Sequence, residues 1–168
     1  MAEERLIQAE QKIVYDGLFS IQDINKTLFD FYSQQGYLFF EKLQEENVQE
    51  NGKTLFFFGE FRKKLNYYAD SVISLKLRAK NFKDVEVERD NKFKQLMQKG
   101  SLSIQMEAVL STDLEGRFEV NLLAYLARAF AERFFFHREI DQLSQIVEKD
   151  FKKALSLVRG MLNLQKYE

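Results

Sequence analysis

The residues able to do chemistry are few and scattered. His137 is the only histidine, and in Phe136-His137-Arg138-Glu139 it has no nucleophile or orienting acid at a fixed spacing. Such an imidazole reads as a solvated or capping group, not as a general base. The absence of cysteine removes thiolate catalysis, disulfides, and Cys-ligated zinc or iron–sulfur sites together, and makes the cytoplasm the expected location. Asp84, Glu86, Glu88 and Asp90 alternate along one stretch, and carboxylates on one strand face could gather Mg²⁺ or Ca²⁺ through oxygen ligands. They lack an EF-hand spacing and a supporting His or Asn, so a solvated sheet face is the simpler reading, and no metal or cofactor is expected. The 7 glycines form neither G-x-x-x-x-G-K-[ST] nor G-x-G-x-x-G, and G-x-S-x-G is missing. No catalytic residue is assigned and a non-enzymatic role is expected.

The elements that would carry any site follow from periodicity. Lys12 to Phe19 reads as a first strand with Gly17 as a bulge. Ser20 is placed as a helix N-cap with Asp23 three residues on, Ile21, Ile24, Leu28, Phe31 and Tyr32 recur at helical spacing, and Gly36 suits the left-handed position past the helix end. Tyr37–Leu43 and Thr54–Lys63 read as a hairpin joined by a polar loop, Gln44 to Lys53, with Asn51-Gly52 as the turn. Ser71–Lys80 alternates cleanly, Val85 and Val87 suggest another strand, and Leu102, Ile104, Met106, Ala108 and Leu110 form the inward row of a third. A helical pattern begins near Phe118, with a join at Phe134 to His137. Ile140, Leu143, Val147, Phe151, Ala154, Val158 and Met161 then define a long amphipathic helix. The expectation is one α+β domain over residues 1–168: an antiparallel sheet with an early helix and a long C-terminal helical segment packed on it, in the order β-α-β-β-β-β-β-α-α.

Lys99-Gly100-Ser101-Leu102-Ser103-Ile104, the Asp113-Leu114-Glu115-Gly116-Arg117-Phe118 junction and the stretch Leu122 to Ile140, in this element order, resemble a group of small uncharacterised archaeal α+β proteins. The topology also resembles the helix-grip (START or Bet v 1-like) fold. That likeness implies a C-terminal helix closing a curved sheet over an apolar cavity.

The strongest functional clue is aromatic. Phe56, Phe57 and Phe58 are consecutive, with Phe61 close behind, and neighbouring strand residues point to opposite faces. Phe57 and Phe61 share one face and Phe56 and Phe58 the other, while Tyr37 and Phe39 oppose Leu38 and Phe40 on the adjoining strand. Both faces of this hairpin are therefore apolar. Helix packing within the fold would cover one face, and a curled sheet would let the long C-terminal helix or another segment cover the other. Otherwise Phe40, Phe56 and Phe58 form a contact surface for a second copy or a protein partner. An alternative has Phe39, Phe57, Phe61 and Phe151 lining an apolar pocket, so that the chain carries or binds a hydrophobic small molecule or lipid.

Charge argues against other partners. With 25 Lys plus Arg against 26 Asp plus Glu, no global field draws nucleic acid or anionic lipid. Arg62, Lys63 and Lys64, the row Lys76, Arg78 and Lys80, and Lys92, Lys94 and Lys99, with Tyr67 or Tyr68 for stacking, could form a basic surface. The acidic row from Asp84 onward is expected on the following strand, beside the basic one, where it would cancel that field and disfavour nucleic acid. Phe134 to Phe136 beside Arg133 and Arg138 would suit an interfacial membrane anchor, or equally core packing at the helix join. Met1 to Glu10 lacks the apolar core of a signal peptide. No stretch reaches the roughly 18 uncharged apolar residues that a spanning helix needs.

Overall fold

The computed structural model describes residues 3–49, 52–66, 69–89, 93–112 and 137–165. Five strands and two helices follow in the order β1 (Glu3–Phe19), α1 (Ile21–Gln34), β2 (Leu38–Gln49), β3 (Gly52–Lys64), β4 (Ala69–Arg89), β5 (Phe93–Thr112) and α2 (His137–Gln165). All neighbours are antiparallel, and the sheet order is β1-β5-β4-β3-β2, which leaves β1 and β2 as its edges. The architecture is the expected α+β one, with an early helix and a C-terminal helix on an antiparallel sheet. The stretch 118–136, where a further helix was expected, lies outside the described residues, as does the 113–118 junction.

Capping fixes the ends of α1. The Ser20 hydroxyl accepts from the Asp23 amide at 3.2 Å. At the other end Gly36 takes φ 82°, the Tyr37 amide donates to the Tyr32 carbonyl and the Gly36 amide to that of Ser33. This doubly bonded reversal turns the chain directly into β2. Ile24, Leu28 and Tyr32 of α1 are buried, as are Val147, Phe151, Ala154, Leu155, Val158 and Leu162 of α2, in one core with the inward rows of β4 and β5. The ring of Phe29 on α1 packs on Phe39 and Phe61, so α1 covers the β2–β3 side of the inner face. Gln8 donates to Glu148 and Arg5 pairs with Asp141, placing α2 along β1.

Several strands differ from expectation, each for a backbone reason. β1 begins at Glu3 instead of Lys12, and register irregularities between Leu6 and Gln8 and between Gln8 and Gln11 break the alternation that would have revealed it. These upstream bulges replace the one expected at Gly17, which pairs with Gly100 in unbroken register at φ 151°. The expected loop Gln44–Lys53 is mostly ladder: β2 runs to Gln49 and β3 starts at Gly52. Backbone pairing continues there although polar side chains occupy both faces. Ser71–Lys80 and the Val85 stretch belong to one strand, bent where Asn81 adopts φ 51° and an extra residue shifts the register between Lys80 and Lys83. The bend fits around Gly100, where a β-carbon would stand 2.7 Å from the Phe82 Cα.

Candidate functional site

The two faces of the β2–β3 hairpin have different fates. Inward, Phe39, Phe57 and Phe61 form a stack with Phe29 and Tyr32 of α1: ring centroids lie 5.0 Å apart for Phe39–Phe61, 5.9 Å for Phe39–Phe57 and 4.4 Å for Tyr32–Phe61. These rings pack on one another, while Phe151 is buried on α2, which lies along β1 and β5. Phe57, Phe61 and Phe151 belong to one buried core, with Phe39 packed against it.

Outward, register assembles rows of side chains across β2, β3 and β4. Leu38 faces Arg62 and Arg62 faces Val72, and Phe40 faces Glu60, which faces Ser74. Leu43 faces Phe58, which faces Lys76, and Glu45 faces Phe56, which faces Arg78. The bulge at Lys42, between Glu41 and Leu43 in the β2–β3 register, matters here. Without it Leu43 would follow Phe39 and Glu41 to the inner face; the extra residue reverses the alternation and sets Leu43 beside Phe58. Leu38, Phe40 and Leu43 are 67%, 45% and 42% exposed. With the half-buried Phe56 and Phe58 they make a continuous apolar cluster on the outer face, reaching the open edge.

Cations partly roof this cluster. Arg78 lies 5.1 Å from the Phe56 ring centre, Arg62 5.8 Å from Phe40 and Lys76 6.0 Å from Phe58. Each contact is worth about 0.5–1 kcal/mol at an exposed site, which lets half-buried rings tolerate water. Arg62 also binds Glu60 at 2.6 Å, Lys42 reaches Glu60 at 3.4 Å, and Lys76 reaches Glu10 at 3.5 Å. Arg78 and Lys80 have no carboxylate partner among the described residues.

Comparison with family models, with curated proteins and with solved structures finds no match. The surface is therefore read from its own chemistry.

The acidic row does not lie beside the basic one. Asp84 and Glu86 continue β4 itself beyond Asn81, and the strand flanking Lys76, Arg78 and Lys80 is β5, with Gln105, Ser103 and Ser101 opposite them. Sequence alternation located both rows but could not show that one bent strand carries them in tandem. Lys53 holds Asp84 at 2.6 Å and Gln98 donates to it at 3.2 Å; these hydrogen bonds keep its carboxyl below the ordinary aspartate range. Among the described residues no three His, Asp or Glu side chains gather as a metal site, and no helix is long and apolar enough to cross a membrane. The side chains of His137, Arg138, Glu88, Lys94 and Tyr67 lie outside the described residues, as do Phe134 to Phe136, Tyr68, Asp90 and Lys92.

A second constellation is buried. Asp150, 5% exposed, stands on the apolar stripe of α2 and accepts from the Tyr37 hydroxyl at 3.2 Å, while Tyr37 and Ser71 share a hydrogen bond of 3.1 Å. The Tyr32 hydroxyl lies buried nearby without a hydrogen-bond partner among the described residues. The cluster ties α2 to the start of β2 and of β4. Its signal in the sequence is an acidic residue between Val147 and Ala154, at the spacing of the buried face.

Burial pushes both tyrosine hydroxyls upward, and the Asp150 charge raises them further; the Ser71 hydrogen bond offsets part of this at Tyr37. Unfolded, both ionise near about pH 10. Their folded values are higher, so the associated stability is intact below about pH 10 and falls as pH rises above it. In a near-ultraviolet titration these two of the 7 tyrosines should stay silent until the chain unfolds in base. Ionisation of both in step with exposed tyrosines, with the fold intact, would contradict this.

Proposed function

We propose that this chain is a non-enzymatic protein-interaction or assembly module whose contact surface is the outer face of β2, β3 and β4. The observation that carries the reading is the exposed Leu38–Phe40–Leu43 row, made continuous with Phe56 and Phe58 by the Lys42 bulge. Isolated exposed apolar residues are ordinary on soluble proteins; a contiguous cluster rimmed by charges is the pattern of a contact site. Among the described residues β2 is an edge strand of the sheet and borders it, and unpaired edges are themselves sticky unless managed. Glu41, Lys42, Glu45 and Glu46 and the bulge discourage indiscriminate pairing on β2, which favours a specific partner over aggregation.

The charge balance of the face favours protein over nucleic acid. Lys12, Lys42, Arg62, Lys76, Arg78 and Lys80 share it with Glu10, Asp16, Glu45, Glu60 and Glu107. A polyanion would meet nearly as much repulsion as attraction.

The test is the native size of the tagged protein in extracts of its own cells, together with the size of the purified chain at up to about 300 µM. In one or both, wild type should run above its 20.0 kDa monomer mass, and Phe40→Asp should run as the monomer with an unchanged circular dichroism spectrum. Wild type at monomer size in both, or Phe40→Asp indistinguishable from it in every assembly, defeats the reading.

A further inference from the structure

We infer that the partner on this face is a second copy of the chain, packed outer face to outer face about a two-fold axis running along β3. The inference rests on the interaction reading above and adds the occupant and its geometry. Its basis is the pattern of charge about the aromatic row. Phe56 has Glu45 on one side and Arg78 on the other, in one register row. A two-fold axis parallel to β3 exchanges β2 with β4 and preserves height along the strands. It therefore sets Glu45 of each copy against Arg78 of the other, with Phe56 meeting Phe56 between them.

The neighbouring rows are compatible with this, with Phe40 coming over Ser74. Leu43 comes over the aliphatic stem of Lys76, Phe58 meets Phe58, and Leu38 meets Val72. Residues on the axis meet themselves, and the charged ones there, Glu60 and Arg62, are already bonded to each other at 2.6 Å. The axis thus carries a neutral pair and not a bare charge. Stacked sheets cross at about 30°, which displaces residues one strand from the axis by only about 2–3 Å, within the reach of Glu and Arg side chains. Arg78, with no carboxylate partner among the described residues, gains one.

Size sets the expected strength. Three strands at about 4.8 Å spacing, over the rows from 38 to 47, give on the order of 450 Å² of sheet per protomer, below the roughly 800 Å² per partner of a standard interface. The dimer should therefore be dynamic, with a Kd of about 1–100 µM.

Charge exchange tests the geometry on the full chain. Glu45 and Arg78 are both exposed, so Glu45→Arg and Arg78→Glu should fold; circular dichroism checks this. In sedimentation velocity from about 1 to about 300 µM, each variant alone should weaken the dimer at least tenfold. An equimolar mixture of the two should recover it, because the heterodimer contains two opposite-charge pairs. The doubly substituted chain should recover it as well. A wild type that stays monomeric throughout, single variants as tight as wild type, or mixing without recovery would each overturn the two-fold arrangement. If purified wild type is monomeric while Phe40→Asp still collapses a larger assembly in extracts, the second copy is the wrong occupant and the interaction reading stands. If neither effect is seen, both fail.

Discussion

Phe61→Ala should lower the unfolding free energy by about 3–5 kcal/mol, the range for removing a buried aromatic ring. Phe61 is 1% exposed, and its ring touches Phe29, Tyr32 and Phe39. Truncation would leave a void bordered by three rings held by two elements, Phe29 and Tyr32 by α1 and Phe39 by β2. Such a site collapses poorly, because closing it requires α1 to move toward the sheet while Gly36 and the double reversal hold its C-terminal end. Chemical denaturation should show a lower midpoint at an unchanged slope. A loss below about 1 kcal/mol would mean that the stack is not a packed core, and would favour the pocket reading for Phe39, Phe57 and Phe61.

Phe58→Ser should have the opposite profile. Its ring is half-buried on the outer face beneath the Lys76 ammonium, so the free chain should lose only about 1 kcal/mol. A centrally placed aromatic at an interface costs about 2 kcal/mol or more when truncated, which is about 30-fold in affinity. Concentration-dependent light scattering should therefore show association weakened by about 30-fold, with a denaturation midpoint close to wild type. If stability and association fall together, Phe58 is a fold residue. If neither moves, the surface lies elsewhere. The two phenylalanines are three residues apart in sequence, and the face each occupies decides which property it governs.

That division into faces was legible from alternation, because the triplet Phe56–Phe58 on a strand must split between opposite sides. The caps of α1, the inward row of β4 from Ile73 to Ala79 and the buried stripe of α2 were legible for the same reason: each pairs a strict period with one wet and one dry side. What was hidden is where the period breaks. One extra residue at Lys42 turns Leu43 outward, and another at Asn81 bends β4 so that basic and acidic rows lie in tandem. A bulge leaves no mark in composition, since any residue type can supply the unpaired position. Gln44–Gln49 read as a loop because strand pairing there rests on backbone hydrogen bonds with no buried side. Asp150 is hidden in the sequence because its apolar neighbours dominate the helical pattern, although an acid on that stripe requires partners such as Tyr37.

The most direct measurement places a photo-crosslinking amino acid at position 40 or 58 in the protein's own cells, with position 153 on the exposed side of α2 as control. The interaction account predicts covalent adducts to a polypeptide from positions 40 and 58, the chain itself if the two-fold arrangement holds, and none from position 153. Adducts from position 153 alone, or none to any polypeptide from positions 40 and 58, would contradict it.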